Sequence, residues 1–175
     1  LGGQEVNTSP TQMFERYAIN FAQMTLEDAE CWPDLLSVVR MKVKPERDIV
    51  RREAHRTYWW RYGDYRPGLF NALSHVERCL VTARVTKHLL ISQQPTDRVL
   101  SEQLYAFPLS AFTSFAVLQS RIHEPWARQL SSSLEDRLRY SASDCFETFP
   151  FPIPDPRTVI PTVEAAGEAL YTFRA

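Results

Sequence analysis

The chain has 175 residues, of which 44% are hydrophobic and 23% are charged, and its formal net charge is −1. No apolar run approaches the roughly 18 residues that a membrane-spanning helix needs, so we expect a soluble globular protein of one or two domains with no membrane partner. The three cysteines, Cys31, Cys79 and Cys145, are odd in number and far apart. This excludes a fully paired disulfide framework and, with no secretory leader in view, favours the cytoplasm.

The first part of the chain predicts a strand, helices and a charged segment. Residues 16–21 (RYAINF) alternate aromatic or aliphatic with polar positions, which predicts a short strand. Thr25 is a candidate N-cap followed by acidic residues, so a helix is expected to begin there, and the helical pattern resumes over 35–41. Residues 43–54 are mostly charged and predict an exposed helix or loop.

The middle of the chain predicts a helix followed by an antiparallel hairpin. Pro67 suits the first position of an amphipathic helix over 67–78, where apolar residues recur three or four apart. Over 80–92 the period changes to two, which is typical of a half-buried strand with one apolar and one polar face. Residues 97–107 repeat this character after a Gln-Gln-Pro turn, so the two segments are expected to pair.

Residues 109–130 carry the longest helical pattern in the chain. Apolar residues recur three or four apart from Phe112 to Leu130, and Ser110 is the candidate N-cap. Pro125 lies inside this pattern, so the helix is expected either to kink or to restart there.

The last part predicts an extended segment and a final helix. Residues 146–156 contain four prolines and are expected to run extended over a surface, held there by Phe149 and Phe151. The helix over 162–173 is expected to bury Val163, Ala166, Leu170 and Phe173. Together the elements predict an α+β fold, with a small antiparallel or mixed sheet, packing helices and a helical C-terminal segment.

The sequence carries no complete motif for catalysis or metal binding. A methyltransferase or nucleotide-binding enzyme needs a glycine-rich turn after a strand, and the five glycines form none. His75 and Cys79 lie at helical spacing but lack third and fourth ligands nearby. His123 beside Glu124 is more simply a packed histidine than an acid–base pair. We therefore predict no catalytic residue and no metal.

Positive charge is concentrated in the middle of the chain. Residues 40–98 carry thirteen Lys and Arg against six Asp and Glu, whereas 1–39 and 99–175 are acidic. Of the twenty cationic residues seventeen are arginine, whose forked guanidinium suits phosphate and guanine, although a GC-rich genome would produce the same bias. This distribution favours a polyanionic partner.

Within residues 40–98, arginines alternate with aromatic residues ahead of the strand predicted from residue 80. We predict that they bind double-stranded DNA, with base contacts from the strand and its loop and phosphate contacts from the remaining arginines. The base-contact candidates are Arg84, Lys87, His88, Gln93 and Gln94. The DNA-backbone candidates are Arg51, Arg52, Arg56, Arg61, Arg66, Arg121 and Arg139. The alternative is a solvated strand face with Trp59 and Trp60 as ordinary core residues.

Six segments together resemble the C-terminal region of type IIL restriction-modification enzymes and related phage-defence adenine-specific DNA methyltransferases of bacteria. In order they are RYAINF (16–21), VKPERD (43–48), TYWWRYGDYRPGL (57–69), CLVTARVTKHLL (79–90), FAVLQSRIHEPWA (115–127) and RYSASDCFETFPFP (139–152). They occur in the family's order and span most of residues 16–152.

The resemblance implies a division of labour within a longer enzyme. Residues 1–108 would be the target-recognition part, truncated at its N-terminus, and 109–175 a helical segment packed on it. The family's methyltransferase core holds an adenine with an Asn-Pro-Pro-Tyr motif and binds S-adenosylmethionine, and neither motif occurs here. The chain alone is thus expected to recognise a DNA sequence, bind no cofactor and not methylate. Because Leu1 is not an initiator methionine, we treat the chain as a candidate fragment of such a protein.

A protein-interaction module is the alternative of a different class. In that case the exposed aromatic residues and the proline-rich segment would dock the methyltransferase core or a partner subunit. DNA binding that weakens steeply with salt would favour the first function, and salt-insensitive binding to the core would favour the second. An autonomous nuclease has least support, because no cluster of carboxylates and lysine is visible.

Overall fold

The computed structural model describes residues 1–14, 16–134 and 137–174. Contacts divide the chain into two units, which we call the helical unit (Tyr17–Gly68) and the sheet unit (Leu1–Arg16 with Leu69–Ala175). This division is based on contacts between residues. The predicted functional division, into residues 1–108 and 109–175, is a different one and stays a prediction.

Short helices and two small antiparallel sheets make up the described residues, so the predicted α+β class is confirmed. The helices are α1 (Gly3–Thr8), α2 (Leu26–Glu30), α3 (Pro33–Lys42), α4 (Lys44–Asp48), α5 (Glu53–Thr57), α6 (Pro67–Leu73), α7 (Phe112–Leu118), α8 (His123–Leu130) and α9 (Pro161–Arg174), with a short π-helix over Ala142–Phe146 before α9. The strands are β1 (Arg78–Ala83), β2 (Val85–Thr86), β3 (Ser92–Pro95), β4 (Leu104–Phe107), β5 (Ser132–Leu134) and β6 (Arg137–Arg139). None of the described helices is long and apolar enough to cross a membrane.

The helical unit is built around a pair of tryptophans. Helix α2 begins as predicted, because the Thr25 hydroxyl accepts from the Asp28 backbone N–H and the Asp28 carboxylate accepts from the Thr25 N–H. Trp59 and Trp60 are buried in one cluster with Phe21 and the inner faces of α2 and α3. They are therefore core side chains.

The strand predicted over 16–21 is wrong. This segment has no regular secondary structure among the described residues, and Tyr17 is 91% exposed while Phe21 packs into the tryptophan cluster. The chain then turns at Ala22, whose φ is 45° and whose N–H donates to the side chain of Asn20. The alternating pattern here reflects single anchored residues, because a strand also needs a neighbour to complete its hydrogen bonds.

Strand β1 is the centre of the first sheet. It pairs antiparallel with β3 on one edge and with β4 on the other, with Leu80 opposite both Gln93 and Phe107. The predicted pairing of 80–92 with 97–107 is thus confirmed for β1 and β4. Helix α6 ends at Leu73, earlier than predicted, and residues 74–77 connect it to β1, which begins at Arg78.

The predicted continuous strand over 80–92 is wrong in two respects. Strand β1 ends at Ala83, and after Arg84 the chain enters β2, which pairs with β6 in the second sheet, of order β2-β6-β5. The polar face of β1 is also buried, because Thr82 is fully covered and its hydroxyl donates to the Leu90 carbonyl at 2.9 Å.

The long helical pattern over 109–130 forms two helices. Helix α7 ends at Leu118, and α8 begins at His123, where the Ser120 hydroxyl accepts from the His123 N–H at 3.2 Å. A restart near Pro125 is therefore confirmed. Ser110 is not the N-cap, because that position is occupied by Ala111, which has no side chain able to cap the helix.

The cap of α7 comes from α9. The Glu164 carboxylate accepts from the backbone N–H groups of Phe112 and Thr113, at 3.1 and 2.6 Å, and from the Thr113 hydroxyl at 2.7 Å. Burial opposes the charge of Glu164, but these hydrogen bonds outweigh it and hold the pKa of the carboxyl below its usual value. The last helix thereby fixes the start of α7.

Helix α9 occupies the predicted position, and two of the four residues predicted to be buried, Val163 and Leu170, are half-buried, with Leu170 packed against the core. Gly167 is its buried residue, whereas Ala166 is exposed and Phe173 is 88% exposed. Before this helix, Phe149 is buried and Phe151 packs edge-on against it, as predicted for the proline-rich segment. At Gly167 the backbones of α9 and α7 approach too closely for a side chain.

Candidate nucleic-acid interface

The chain crosses from the first sheet to the second at residues 84–88, which we call the crossover segment. It contains three of the predicted base-contact residues, Arg84, Lys87 and His88, and all three are exposed. Its buried residue, Thr86, donates from its hydroxyl to the His88 carbonyl at 2.6 Å and closes the turn. The segment therefore holds three cationic or titratable side chains on a short connection with a defined backbone.

Arg84 is held at one side and leaves most of its donors free for a ligand. Its backbone N–H donates to the Gln103 carbonyl at 2.8 Å, and its Nη1 donates to the Glu102 carbonyl at 3.3 Å. Its guanidinium also lies 5.4 Å from the centre of the Tyr105 ring. Because a guanidinium has five N–H donors, one bond to Glu102 orients the group without exhausting it.

The remainder of the crossover segment is fixed by α8. Arg128 donates from Nη2 to the Lys87 carbonyl at 2.9 Å and pairs with Glu124, one helical turn earlier, at 2.8 Å. Since the backbone of Lys87 is held in this way, its exposed side chain projects from a constrained position.

Arg139 lies beside the crossover segment by strand register. It is opposite Val85 in the β2–β6 ladder, and both residues are exposed. Their neighbours in the same ladder, Thr86 and Leu138, are buried. Because directly paired residues share a face of a sheet, Arg139 is on the exposed face at this crossing.

Arg121 lies in the turn between α7 and α8, which is attached to the chain just after the crossover segment. The Gln119 side chain makes this attachment: its oxygen accepts from the Ile91 N–H at 2.8 Å and its nitrogen donates to the Leu89 carbonyl at 3.1 Å. Arg121 itself is exposed. We call Arg84, Lys87, His88, Arg121 and Arg139 the crossover cations.

Gln93 and Gln94, the remaining base-contact candidates, require a correction. They are only 7% and 4% exposed and lie within β3. The Gln93 side chain donates to the Ser110 carbonyl at 2.7 Å, and the Gln94 side chain bonds to Ser92, Gln12 and Arg98. Their amide nitrogens donate to internal acceptors and both side chains are buried, so they cannot reach a base edge in this structure.

The helical unit places four of the predicted backbone-contact arginines at its surface. Arg51, Arg52, Arg56 and Arg66 are all exposed. Arg52 pairs with Asp64 at 2.7 Å, and this hydrogen bond and charge hold the pKa of Asp64 below its usual value. Both side chains are 60% exposed, so water screens the pair and phosphate could compete for Arg52.

Arg56 and Arg61 each donate hydrogen bonds to backbone carbonyls within the helical unit. Arg56 donates from Nη1 to the carbonyls of Val50 and Arg51, at 2.6 and 3.0 Å, and ties α5 to the preceding turn. Arg61 is half-buried and donates from Nε to the Met24 carbonyl at 2.9 Å. Arg61 therefore lies in the wall of the helical unit with its Nε engaged, and its predicted role in binding phosphate stays a prediction.

Sequence reasoning missed Gln119 and Arg128, the two side chains that hold the crossover segment and its continuation. The spacing of Glu124 and Arg128 indicates a helical ion pair, but nothing in the sequence indicates the contact with Lys87. Among the residues that the structure describes, no group of three or more His, Cys, Asp or Glu could hold a metal ion.

Comparison with known proteins gives three findings. Residues 2–153 match the family model of the MmeI target recognition domain. A segment of 56 residues, 32% of this chain, is 34% identical to DNA methyltransferase A of Bacillus subtilis (strain 168). The fold is similar to a solved structure of the type IIL restriction-modification enzyme MmeI in complex with DNA, at a TM-score of 0.66 and 19% identity over 99% of this chain. The chain spans 22% of that MmeI chain and 6% of the methyltransferase.

Proposed function

Because the chain belongs to the MmeI target recognition domain family, we propose that it recognises a short sequence in double-stranded DNA on behalf of a larger enzyme. The observation that carries the proposal is the set of crossover cations on and beside the crossover segment, which Arg128 holds at Lys87 and Gln119 holds just after its end. Base recognition needs donors in fixed positions, since each bidentate contact discriminates between bases only while its geometry is maintained. The solved MmeI structure contains DNA, which supports the same partner here.

Within this proposal the two units have different tasks. Arg84, Lys87 and His88 of the sheet unit contact base edges, while Arg121 and Arg139 contact the sugar–phosphate backbone beside them. Exposed Arg51, Arg52, Arg56 and Arg66 of the helical unit bind phosphates through charge and carry no sequence information.

The larger enzyme would supply the chemistry. We propose an adenine-N6 methyltransferase core that binds S-adenosylmethionine, in a restriction-modification or phage-defence enzyme of the bacterial cytoplasm. The chain contributes recognition and no catalytic residue, and it needs no cofactor of its own. The similarity to DNA methyltransferase A supports this assignment.

Replacing Arg84 by lysine is expected to relax sequence discrimination at one base pair by about 10- to 100-fold in the intact protein. Lysine keeps the charge but lacks the fork that contacts two acceptors on guanine. Competition binding against a set of sites, each changed at one base pair, measures the effect. Arg157→Lys is the matched control, because Arg157 is an exposed arginine that pairs with Asp155. Unchanged discrimination at every position would remove Arg84 from the base contacts.

Replacing Arg51 and Arg66 together by glutamine is expected to weaken binding to all DNA sequences alike. Each lost phosphate contact should reduce the slope of log affinity against log salt concentration by about 0.9. Titrations of the intact protein at several salt concentrations measure this slope, with Arg157→Gln as the control. A slope equal to that of the wild type would mean that both arginines face only solvent.

A second candidate function is docking of the methyltransferase core, and one observation favours it. Helix α3 and the residue before it expose an apolar stripe of Trp32, Leu35, Val38 and Met41, while Leu36 and Val39 face the unit's own core. Binding of a separately produced core through this stripe would be insensitive to salt, in contrast to DNA binding.

A further inference from the structure

The helical unit contains an open cavity that neither the base contacts nor the phosphate contacts use. Its volume is about 300 Å³, which lies at the lower end of the range for small-molecule sites. The side chains that define its chemistry are Gln23, His55, Tyr58, Arg61, Tyr62 and Tyr65. An aromatic wall with a few polar groups favours a flat, partly polar ring as the occupant.

Arg61 supplies hydrogen-bond donors in a fixed position on this wall. Its guanidinium lies 4.7 Å from the centre of the Tyr58 ring and 5.2 Å from that of Trp60, and Nε donates to the Met24 carbonyl. Across the part of the chain that the structure describes, the two terminal amino groups of Arg61 have no hydrogen-bond acceptor. They remain available to an acceptor on a bound ring.

His55 adds an unused polar atom. Its Nε2 is buried and has no hydrogen-bond partner among the described residues. Gly63 makes this position possible, because a Cβ at residue 63 would lie 2.8 Å from Nε2. A buried ring nitrogen without a partner costs free energy, and here the backbone of Gly63 packs closely against it.

We propose that this cavity binds an unstacked nucleobase of DNA that presents carbonyl oxygens, such as thymine or guanine. The ring stacks on the tyrosines, above all on Tyr62, and the terminal amino groups of Arg61 donate to its carbonyl oxygen. Stacking on an aromatic side chain accepts any base, while the donors of Arg61 favour bases with exposed acceptors. This inference rests on DNA as the partner, and the same chemistry serves a base in a single strand or one extruded from a duplex.

Photo-crosslinking tests the proposal in the intact protein. The probe is an oligonucleotide in which one thymine is replaced by 5-iodouracil, used in one arm as a single strand and in the other within a duplex. Mass spectrometry is expected to locate the crosslink within residues 54–65 in at least one arm. A crosslink with the single strand alone would indicate a site for unpaired strands. A crosslink with the duplex would indicate that the base is extruded from the helix.

Variants of Tyr62 separate stacking from hydrogen bonding. Tyr62→Leu is expected to weaken binding of the single strand about tenfold and to abolish the crosslink, because it removes the stacking ring. Tyr62→Phe keeps the ring and should bind as the wild type does. Tyr17→Leu is the matched control, since Tyr17 is a highly exposed tyrosine of the same unit that does not line the cavity.

The outcomes distinguish this inference from the proposed function. Crosslinks only outside 54–65, or a Tyr62→Leu variant that binds as tightly as the wild type, would overturn the cavity as a base site. If site discrimination in duplex DNA persists in that case, the proposed function stands. If the crosslink forms but the intact protein discriminates no sequence, the cavity assignment stands and sequence recognition fails.

Discussion

Replacing Gly167 by alanine is expected to destabilise the protein by about 2 to 3 kcal/mol. An added Cβ would lie 2.2 Å from the Phe112 carbonyl oxygen and 2.8 Å from its carbonyl carbon, far inside van der Waals contact. Because these are backbone atoms, α9 would have to move away from α7 and would weaken the cap that Glu164 gives to that helix. Urea unfolding of wild type and variant measures the difference.

Gly68 is the matched control for this prediction. It also lies in a helix, but an added Cβ there would meet no atom within 4 Å. Gly68→Ala is therefore expected to be neutral or to stabilise the protein by up to about 1 kcal/mol, because alanine favours the helix. If Gly167→Ala were as stable as Gly68→Ala, the close contact between α7 and α9 would be wrong.

Acidification from about pH 7.5 to about pH 5.5 is expected to lower the free energy of unfolding, and His123→Gln should remove most of that loss. His123 is fully buried and donates from Nδ1 to the Leu118 carbonyl at 2.7 Å, while its Nε2 faces the Tyr140 hydroxyl at 3.3 Å. Burial lowers the pKa of this imidazole below its usual 6.5, although hydrogen bonds to the Leu118 and Cys145 carbonyls partly oppose the shift.

The direction of this dependence follows from the proton balance. Below about pH 6.5 His123 binds a proton more readily in the unfolded chain than in the folded chain. The contribution of neutral His123 to the free energy of unfolding is therefore complete above this pH and is lost as the pH falls. The Gln variant should also be about 1 to 3 kcal/mol less stable at neutral pH, because it disturbs the Leu118 and Tyr140 contacts. His88→Gln, at an exposed histidine, is the matched control variant. An equal dependence in His123→Gln and the wild type would contradict this role of His123.

Local signals in the sequence predicted the parts of the fold that depend on local interactions. The capping pair of Thr25 and Asp28 and the break near Pro125 each act within a few residues, and both are present. The prediction of a strand at 16–21 was wrong, because an alternating pattern shows which residues pack against the core but does not provide a neighbouring strand. The cap of α7 by Glu164 joins residues about fifty positions apart, which no local pattern indicates.

The candidate site was predictable in its charge but not in its exposure. Arg84, Lys87 and His88 are on the surface because the chain leaves β1 at Ala83, a break that the period-two pattern does not show. Gln93 and Gln94 were misplaced for a related reason. The predicted hairpin gives β1 one neighbouring strand and leaves its other edge open. In the structure β1 has a neighbour on each edge, and one of these is β3, which contains Gln93 and Gln94.

The attachment of the crossover segment to α8 and to the α7–α8 turn has a consequence for transplanting specificity. A graft of residues 84–88 alone into a relative would arrive without Arg128, which holds the Lys87 carbonyl, and without Gln119, which holds the chain at Leu89 and Ile91. The transplanted side chains would then sample several orientations, and their selectivity would fall even with every donor present. The smallest unit that can be exchanged is therefore discontinuous in sequence, and it consists of the crossover segment together with Gln119 and Arg128.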